Sequence, residues 1–177
     1  MKSLSKLLII LVLITIMLSC NNSVSPEFND RFAIYLLNED SLQTKDIEDL
    51  LISNLKLKSE PILTYNDITA YDFDNHKVFL KNNLFNFLGK DSIRVFSRIF
   101  GVPFILVSKG ERIYLGSFIT GLSSWVPNTP KIADLAVNNS EKSFLIASAP
   151  IYDPSTFKDE RNDKRIFEEL KDKLVNY

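Results

Sequence analysis

The sequence predicts an α+β domain: a mostly antiparallel sheet with a few short helices on one face and a C-terminal amphipathic helix. Three observations carry this. Short apolar runs bounded by turn residues recur along the chain, as strands require. Two of them flank a Gly-containing turn at Ser108-Lys109-Gly110-Glu111, the pattern of a hairpin. Between the runs lie segments with helical start and stop signals but little length.

In chain order, Phe32 to Leu37 (FAIYLL) reads as a buried strand between Asp30 and the turn-rich Asn38 to Ser41. Thr44 is placed to cap a helix over Lys45 to Ser53, with Asp46 and Glu48 in the first turn and Ile47, Leu50 and Leu51 apolar. Leu55 to Lys58 alternates like an exposed strand and Pro61 stops it. Thr64-x-x-Asp67 is a capping-box-like start for a single turn. Lys77 to Lys81 is a strand entered from the turn at Asp74-Asn75. Ile93, Phe96, Ile99 and Phe100 form a helical stripe after Asp91, and Gly101 and Pro103 end it. Phe104 to Val107 and Arg112 to Phe118 are the hairpin strands, with Gly110 expected at positive φ. Thr129-Pro130 reads as N-cap and first residue of a helix over Lys131 to Val137. Ser143 to Ala149 is a further strand. Asp159 to Val175 is the final helix, apolar at Ile166, Phe167, Leu170 and Leu174, with i,i+4 pairs Glu160–Lys164 and Glu169–Lys173.

The N-terminus has a different character. Lys2 and Lys6 precede an apolar run from Leu7 to Leu18, relieved by Thr15, and Ser19 leads into Cys20. A cationic start, a short apolar middle and a small residue at the end are the marks of an export signal. The run is 12 residues, against roughly 20 for a spanning helix. The division expected is a signal at residues 1–19, a polar tether at 20–30 and one domain at 31–177. Without the two signal lysines, 19 basic residues face 22 acidic ones, a net of −3, which leaves no electrostatic footprint for nucleic acid. One cysteine excludes an internal disulfide.

Met17-Leu18-Ser19-Cys20 resembles the lipobox of bacterial lipoproteins, matching at Ser19 and Cys20 and departing at Met17, where the family has Leu, Val or Ile. The resemblance implies cleavage before Cys20, diacylation of its thiol (palmitate-like chains) and acylation of the new amine. One chain binds a membrane only reversibly, at about 0.8 kcal/mol per methylene, whereas two or three hold firmly. The expected place is the cell envelope. Asn21 is not the aspartate that resembles an inner-membrane retention signal, so the outer membrane or cell surface is expected where there are two membranes.

The chemistry-bearing residues are few. Asp72, Asp74 and His76 alternate and are candidate metal ligands if extended, but a transition metal wants more nitrogen or sulfur, and the same residues are ordinary turn chemistry. A serine hydrolase would need His76 to meet Ser123 or Ser124, which lack a G-x-S-x-G elbow. No cofactor is expected. Trp125 sits on the proline-stiffened stretch Trp125 to Pro130, either as an exposed anchor or as a plug closing the core. Trp125, Pro127 and Tyr114 are the candidate binding residues.

The order of pieces from Phe32 to Ile132 also resembles a family of small secreted or lipid-anchored bacterial proteins of unassigned activity. The matching residues are Phe32 to Leu37, Pro61 to Thr64, Asp67-Ile68 with Tyr71, His76 and Leu80, Gly101-x-Pro103-Phe104, Gly110 to Gly116 with Phe118, and Pro127-x-x-Pro130-x-Ile132. A second similarity, in the Asp-Ile after a threonine-bearing turn, the paired strands and the Pro-x-Ile exit, runs to the periplasmic head of the SecD export subunit. Together these imply a shared scaffold that contacts envelope partners. The expected function is a membrane-anchored, non-catalytic interaction module meeting an envelope protein or the cell wall. The alternative is a small hydrolase or metal-dependent enzyme centred on Asp72, Asp74 and His76.

Overall fold

The computed structural model describes Phe28, residues 31–151, Ser155 and residues 157–175; Cys20 and the leader lie outside them. Among the described residues, the strands form two five-stranded sheets. The first has the order β2-β1-β5-β6-β7, from β1 (Phe32–Leu36), β2 (Leu63–Thr64), β5 (Val102–Ser108), β6 (Glu111–Ile119) and β7 (Lys131–Ala133). The second has the order β10-β3-β4-β9-β8, from β3 (Ile68–Asp72), β4 (Lys77–Leu80), β8 (Val137–Asn138), β9 (Ser143–Leu145) and β10 (Leu174–Val175). Within them β6–β7 and β10–β3 are parallel and the other pairs antiparallel. Three short helices follow: α1 (Leu84–Leu88), α2 (Ser92–Ser97) and α3 (Lys164–Leu170). The chain is therefore α+β.

The unbroken apolar runs of β1 and β5 have a direct cause. Successive side chains on a strand point to opposite faces, and both faces of the first sheet are covered. Phe32, Ile34, Leu36, Phe104 and Leu106 enter the main core, which they share with the second sheet and the apolar sides of the three helices. Ala33, Tyr35, Leu37, Ile105 and Val107 enter a smaller core beneath Ile47, Leu55 and Phe28. Polar alternation is thus absent where a one-sided sheet would show it.

The β5–β6 hairpin closes as expected, with Lys109 at φ 53° and Gly110 at φ 73°. The single turn after Thr64 also forms, its Asp67 carboxylate accepting from the Thr64 amide at 2.8 Å and hydroxyl at 2.7 Å.

Five expectations are corrected. Residues 131–137 are not a helix: Ser117 donates its amide to Pro130 O at 2.9 Å, and β7 then joins β6 as a parallel edge with Ile132 buried. One 3₁₀ turn, Asp134–Ala136, separates it from β8. The terminal helix is broken into the 3₁₀ turn Glu160–Asn162, α3, the 3₁₀ turn Lys171–Lys173 and β10, because Leu174 pairs with Tyr71. Its i,i+4 partners go elsewhere, Glu169 to Arg31 at 3.0 Å and the Lys173 ammonium to the carbonyls of Tyr65 and Ile68 at 2.9 and 2.5 Å. Residues 45–53 hold 3₁₀ turns at Thr44–Asp46 and Ile52–Asn54 in place of a helix, since the buried Thr44 hydroxyl bonds Ser117 Oγ at 2.8 Å and caps nothing. The helical stripe after Asp91 stops at Ser97, and Ile93 and Ile99 are 81% and 55% exposed. The strands also divide between two sheets rather than one, joined by a bridge between Lys131 and Ala147.

Candidate functional site

The end of β6 and the loop after it gather apolar side chains that the cores do not take. Asp134 is the organiser. Its Oδ1 accepts from the amides of Gly121 (2.8 Å) and Leu135 (2.7 Å), and its Oδ2 from the Thr120 hydroxyl (3.2 Å). This ties the 120–122 turn to the 134–136 turn so closely that a Cβ on Gly121 would lie 2.4 Å from Leu135 Cδ1. Leu122 and Leu135 are left 93% and 84% exposed.

The Trp125 loop closes the other side of this end. The Ser123 hydroxyl lies 2.5 Å from Ile99 O and accepts from the Trp125 amide at 3.1 Å, and Asn128 donates its amide to Glu48 at 3.1 Å. The half-buried Trp125 ring stands edge-on to Phe100, centroids 6.2 Å apart, and the Lys45 ammonium sits 4.4 Å over Phe100. Ile99 and Val126 remain open beside it. The result is a surface of aliphatic and aromatic groups on backbone fixed at both ends. Clustered exposed apolar groups mark interaction sites more often than scattered ones do.

Of the three candidate binding residues, the structure leaves only Trp125 accessible. Pro127 is buried at the base of the loop. Tyr114 is buried in the main core, its ring edge-on to Phe104 and its hydroxyl without a hydrogen-bond partner among the described residues. The alternation of β6 explains it: Leu115 faces the smaller core, so Tyr114 must face the larger. Leu122, Leu135 and Ile99 were not anticipated. The available signal was Leu122 itself, a large apolar residue inside a Gly-Ser turn with no strand or helix period to bury it.

Asp72, Asp74 and His76 are not brought together as ligands. Asp72 ends β3 and turns back on Asn75, accepting from its amide at 3.1 Å and its side chain at 2.9 Å. His76 sits in the left-handed region at φ 51°, 4% exposed, with Nδ1 3.0 Å from the Tyr71 hydroxyl. Among the described residues no group of three His, Cys, Asp or Glu side chains is arranged to hold a metal ion. The alternative centre is therefore a turn in which the imidazole meets a phenol, while Ser123 spends its hydroxyl on backbone.

Phe73 stands edge-on to Tyr71 and His76, and Arg161 lies near, held by both oxygens of Asp159 (2.8 and 2.5 Å) and donating to Ile146 O at 2.7 Å. Burial lowers the pKa of His76, the Arg161 charge lowers it further, and Asp159, Asp72 and Asp74 oppose both. Burial raises Tyr71 and Tyr114. Tyr71, His76 and Tyr114 are all closed to solvent. A shallow hollow of about 520 Å³ near Asn38, Glu39, Leu42 and Lys56 is lined by neither histidine nor cysteine.

No family model, characterised protein or solved structure matches the chain. Among the described residues no helix is long and apolar enough to cross a membrane.

Proposed function

We propose that this chain is a cell-envelope lipoprotein whose domain acts as an interaction module, held by acyl chains on Cys20 and meeting a protein partner through the Trp125 end. The leader grammar and the lipobox-like Met17 to Cys20 support the anchor. The observation that supports the contact role is the exposure of Leu122, Leu135, Ile99 and Val126 around one immobilised tryptophan. Such anchors contribute most when their backbone is ordered before binding, because little further entropy is lost.

Two measurements test the reading separately. Cys20→Ser yields an unlipidated chain that leaves the detergent phase; equal partitioning of mutant and wild type removes the anchor. Leu122→Asp with Leu135→Asp leaves the cores untouched and abolishes co-purification of a partner from solubilised envelope. Unchanged co-purification by that folded variant removes the contact role.

A further inference from the structure

The two ends of the β5–β6 hairpin differ in kind, and the chain from Cys20 enters at only one of them. The Phe28 amide donates to Gly110 O at 3.3 Å, and its ring lies against Tyr35 (5.1 Å) with the Arg112 guanidinium 5.7 Å away. The tether therefore joins the domain at the hairpin turn. That end is charged: Lys109 pairs with Glu168, Arg165 with Glu111 and Asp163, and Arg31 with Glu169. The Trp125 end lies beyond the far end of β6, whose nine residues at about 3.3 Å each put it roughly 30 Å away.

We propose that in the anchored protein the Trp125 end points away from the membrane holding Cys20 and docks an apolar face of a second, different protein, not the bilayer. This rests on the lipoprotein reading. Only seven residues lie between Cys20 and Phe28, eight Cα steps with a reach of roughly 26–29 Å fully extended. Burying the Trp125 end in the same bilayer with β6 upright would use all of that reach and leave no slack. The charged turn end, with its ions mutually paired, suits the aqueous side of a headgroup layer and does not enter hydrocarbon.

The chemistry of the far end also argues against lipid. Helices and loops that lie on membranes add basic residues to their apolar face. Here Lys45 is offset by Asp46, Glu48 and Asp134, and the last two spend their carboxylates on backbone amides of Asn128, Gly121 and Leu135. The charged groups around the open leucines, Lys45 against Asp46, Glu48 and Asp134, leave a net of −2. That charge repels both an anionic headgroup layer and the identical end of a second copy, so the partner it fits is an apolar face of a different protein.

The test uses the full lipidated chain in vesicles of phosphatidylethanolamine and phosphatidylglycerol. Acylation consumes Cys20, so Leu122→Cys or Lys164→Cys supplies a single free thiol for a donor dye, with acceptors on the lipid headgroups. With a dye pair whose transfer decays over the length of β6, transfer from position 164 should exceed that from 122 several-fold. Equal transfer, or stronger transfer from 122, overturns the orientation while leaving the anchor intact. Failure of the wild type to stay on vesicles better than Cys20→Ser overturns the anchor and the orientation with it. A photoreactive side chain at position 122 in intact cells should, alongside the remote position, give an adduct abolished by Leu135→Asp; an adduct only of twice the chain mass, or only with lipid, overturns the choice of partner.

Discussion

Removing the Tyr114 hydroxyl should stabilise this protein, the reverse of the usual Tyr→Phe effect. The phenol sits in the middle of β6, 1% exposed, and its oxygen has no hydrogen-bond partner among the described residues. A buried hydroxyl that stays bonded contributes about 0.5–1.5 kcal/mol, whereas one left unbonded forfeits about 1–3 kcal/mol of hydration. Tyr114→Phe keeps the ring, its contact with Phe104 and almost all of its volume, so no cavity term enters. The expected change is a gain of about 1 kcal/mol. Tyr71→Phe is the internal control: its hydroxyl meets His76 Nδ1 at 3.0 Å, so its loss should cost about 1 kcal/mol. Urea unfolding of both variants in the Cys20→Ser background reads the two signs, and an unchanged slope confirms that only stability moved. A loss of 1 kcal/mol or more in Tyr114→Phe would refute the reasoning, since it would require a bonded hydroxyl.

The remaining predictions concern His76, Gly116 and Trp125. Burial and the Arg161 charge hold folded-state His76 below its ordinary 6.5, so the unfolded chain takes up the proton first; stability is full above about pH 6.5 and falls as pH drops toward the depressed value. His76→Gln should flatten that slope in urea midpoints measured across the interval. A Cβ on Gly116 would lie 2.1, 2.4 and 2.7 Å from three ring atoms of buried Phe104, so Gly116→Ala should cost about 1–3 kcal/mol by overpacking. Phe104→Leu should recover part of that cost in the double mutant, and strict additivity in the thermal or urea data would count against the clash. Trp125→Ala should cost less than the roughly 3–5 kcal/mol of a fully buried aromatic while weakening partner capture at least ten-fold; a larger stability loss with intact capture would place the ring in the core.

Local chemistry made some of this legible and hid the rest. The hairpin could be read because both its turn glycine and its two apolar runs are contiguous in sequence. The Thr64 turn could be read because its stabilising carboxylate is three residues away. The stretch from Lys131 to Val137 could not, because its conformation is decided by the Ser117 amide meeting Pro130 O, fourteen positions upstream of Lys131. A Thr-Pro pair is a good helix start when nothing else competes for the backbone, and here a parallel strand edge competes. The same applies to Leu174, whose apolar spacing suits a helix but whose backbone pairs with Tyr71. At the candidate site, Trp125 is visible as the one tryptophan on a proline-stiffened loop, whereas Tyr114 is hidden because β6 turns it into the main core and Pro127 is hidden within the loop itself, placements set by contacts distant in sequence. Leu122 carried no periodicity, and the helical spacing of Ile132 and Leu135 pointed to burial of a residue that the 3₁₀ turn leaves exposed.

Their exposure is the point on which the functional reading turns. A single exposed leucine on a protein surface is ordinary. Two leucines held side by side by one aspartate, next to a tryptophan with its loop amide and hydroxyl contacts satisfied, form a different arrangement. Asp134 accepts three hydrogen bonds to build it, from the Thr120 hydroxyl and the Gly121 and Leu135 amides, and these pin the 120–122 turn against the 134–136 turn. If the leucines were merely unfavourable leftovers, releasing them should help: Asp134→Asn would relax the turn and let Leu122 seek cover. If they are presented for contact, the same change should lower partner affinity with only a modest stability loss, of the order of one charge-assisted hydrogen bond, about 1.5–3 kcal/mol. Partner affinity measured beside urea stability for Asp134→Asn separates the two, because the leftover account has no reason for affinity to fall.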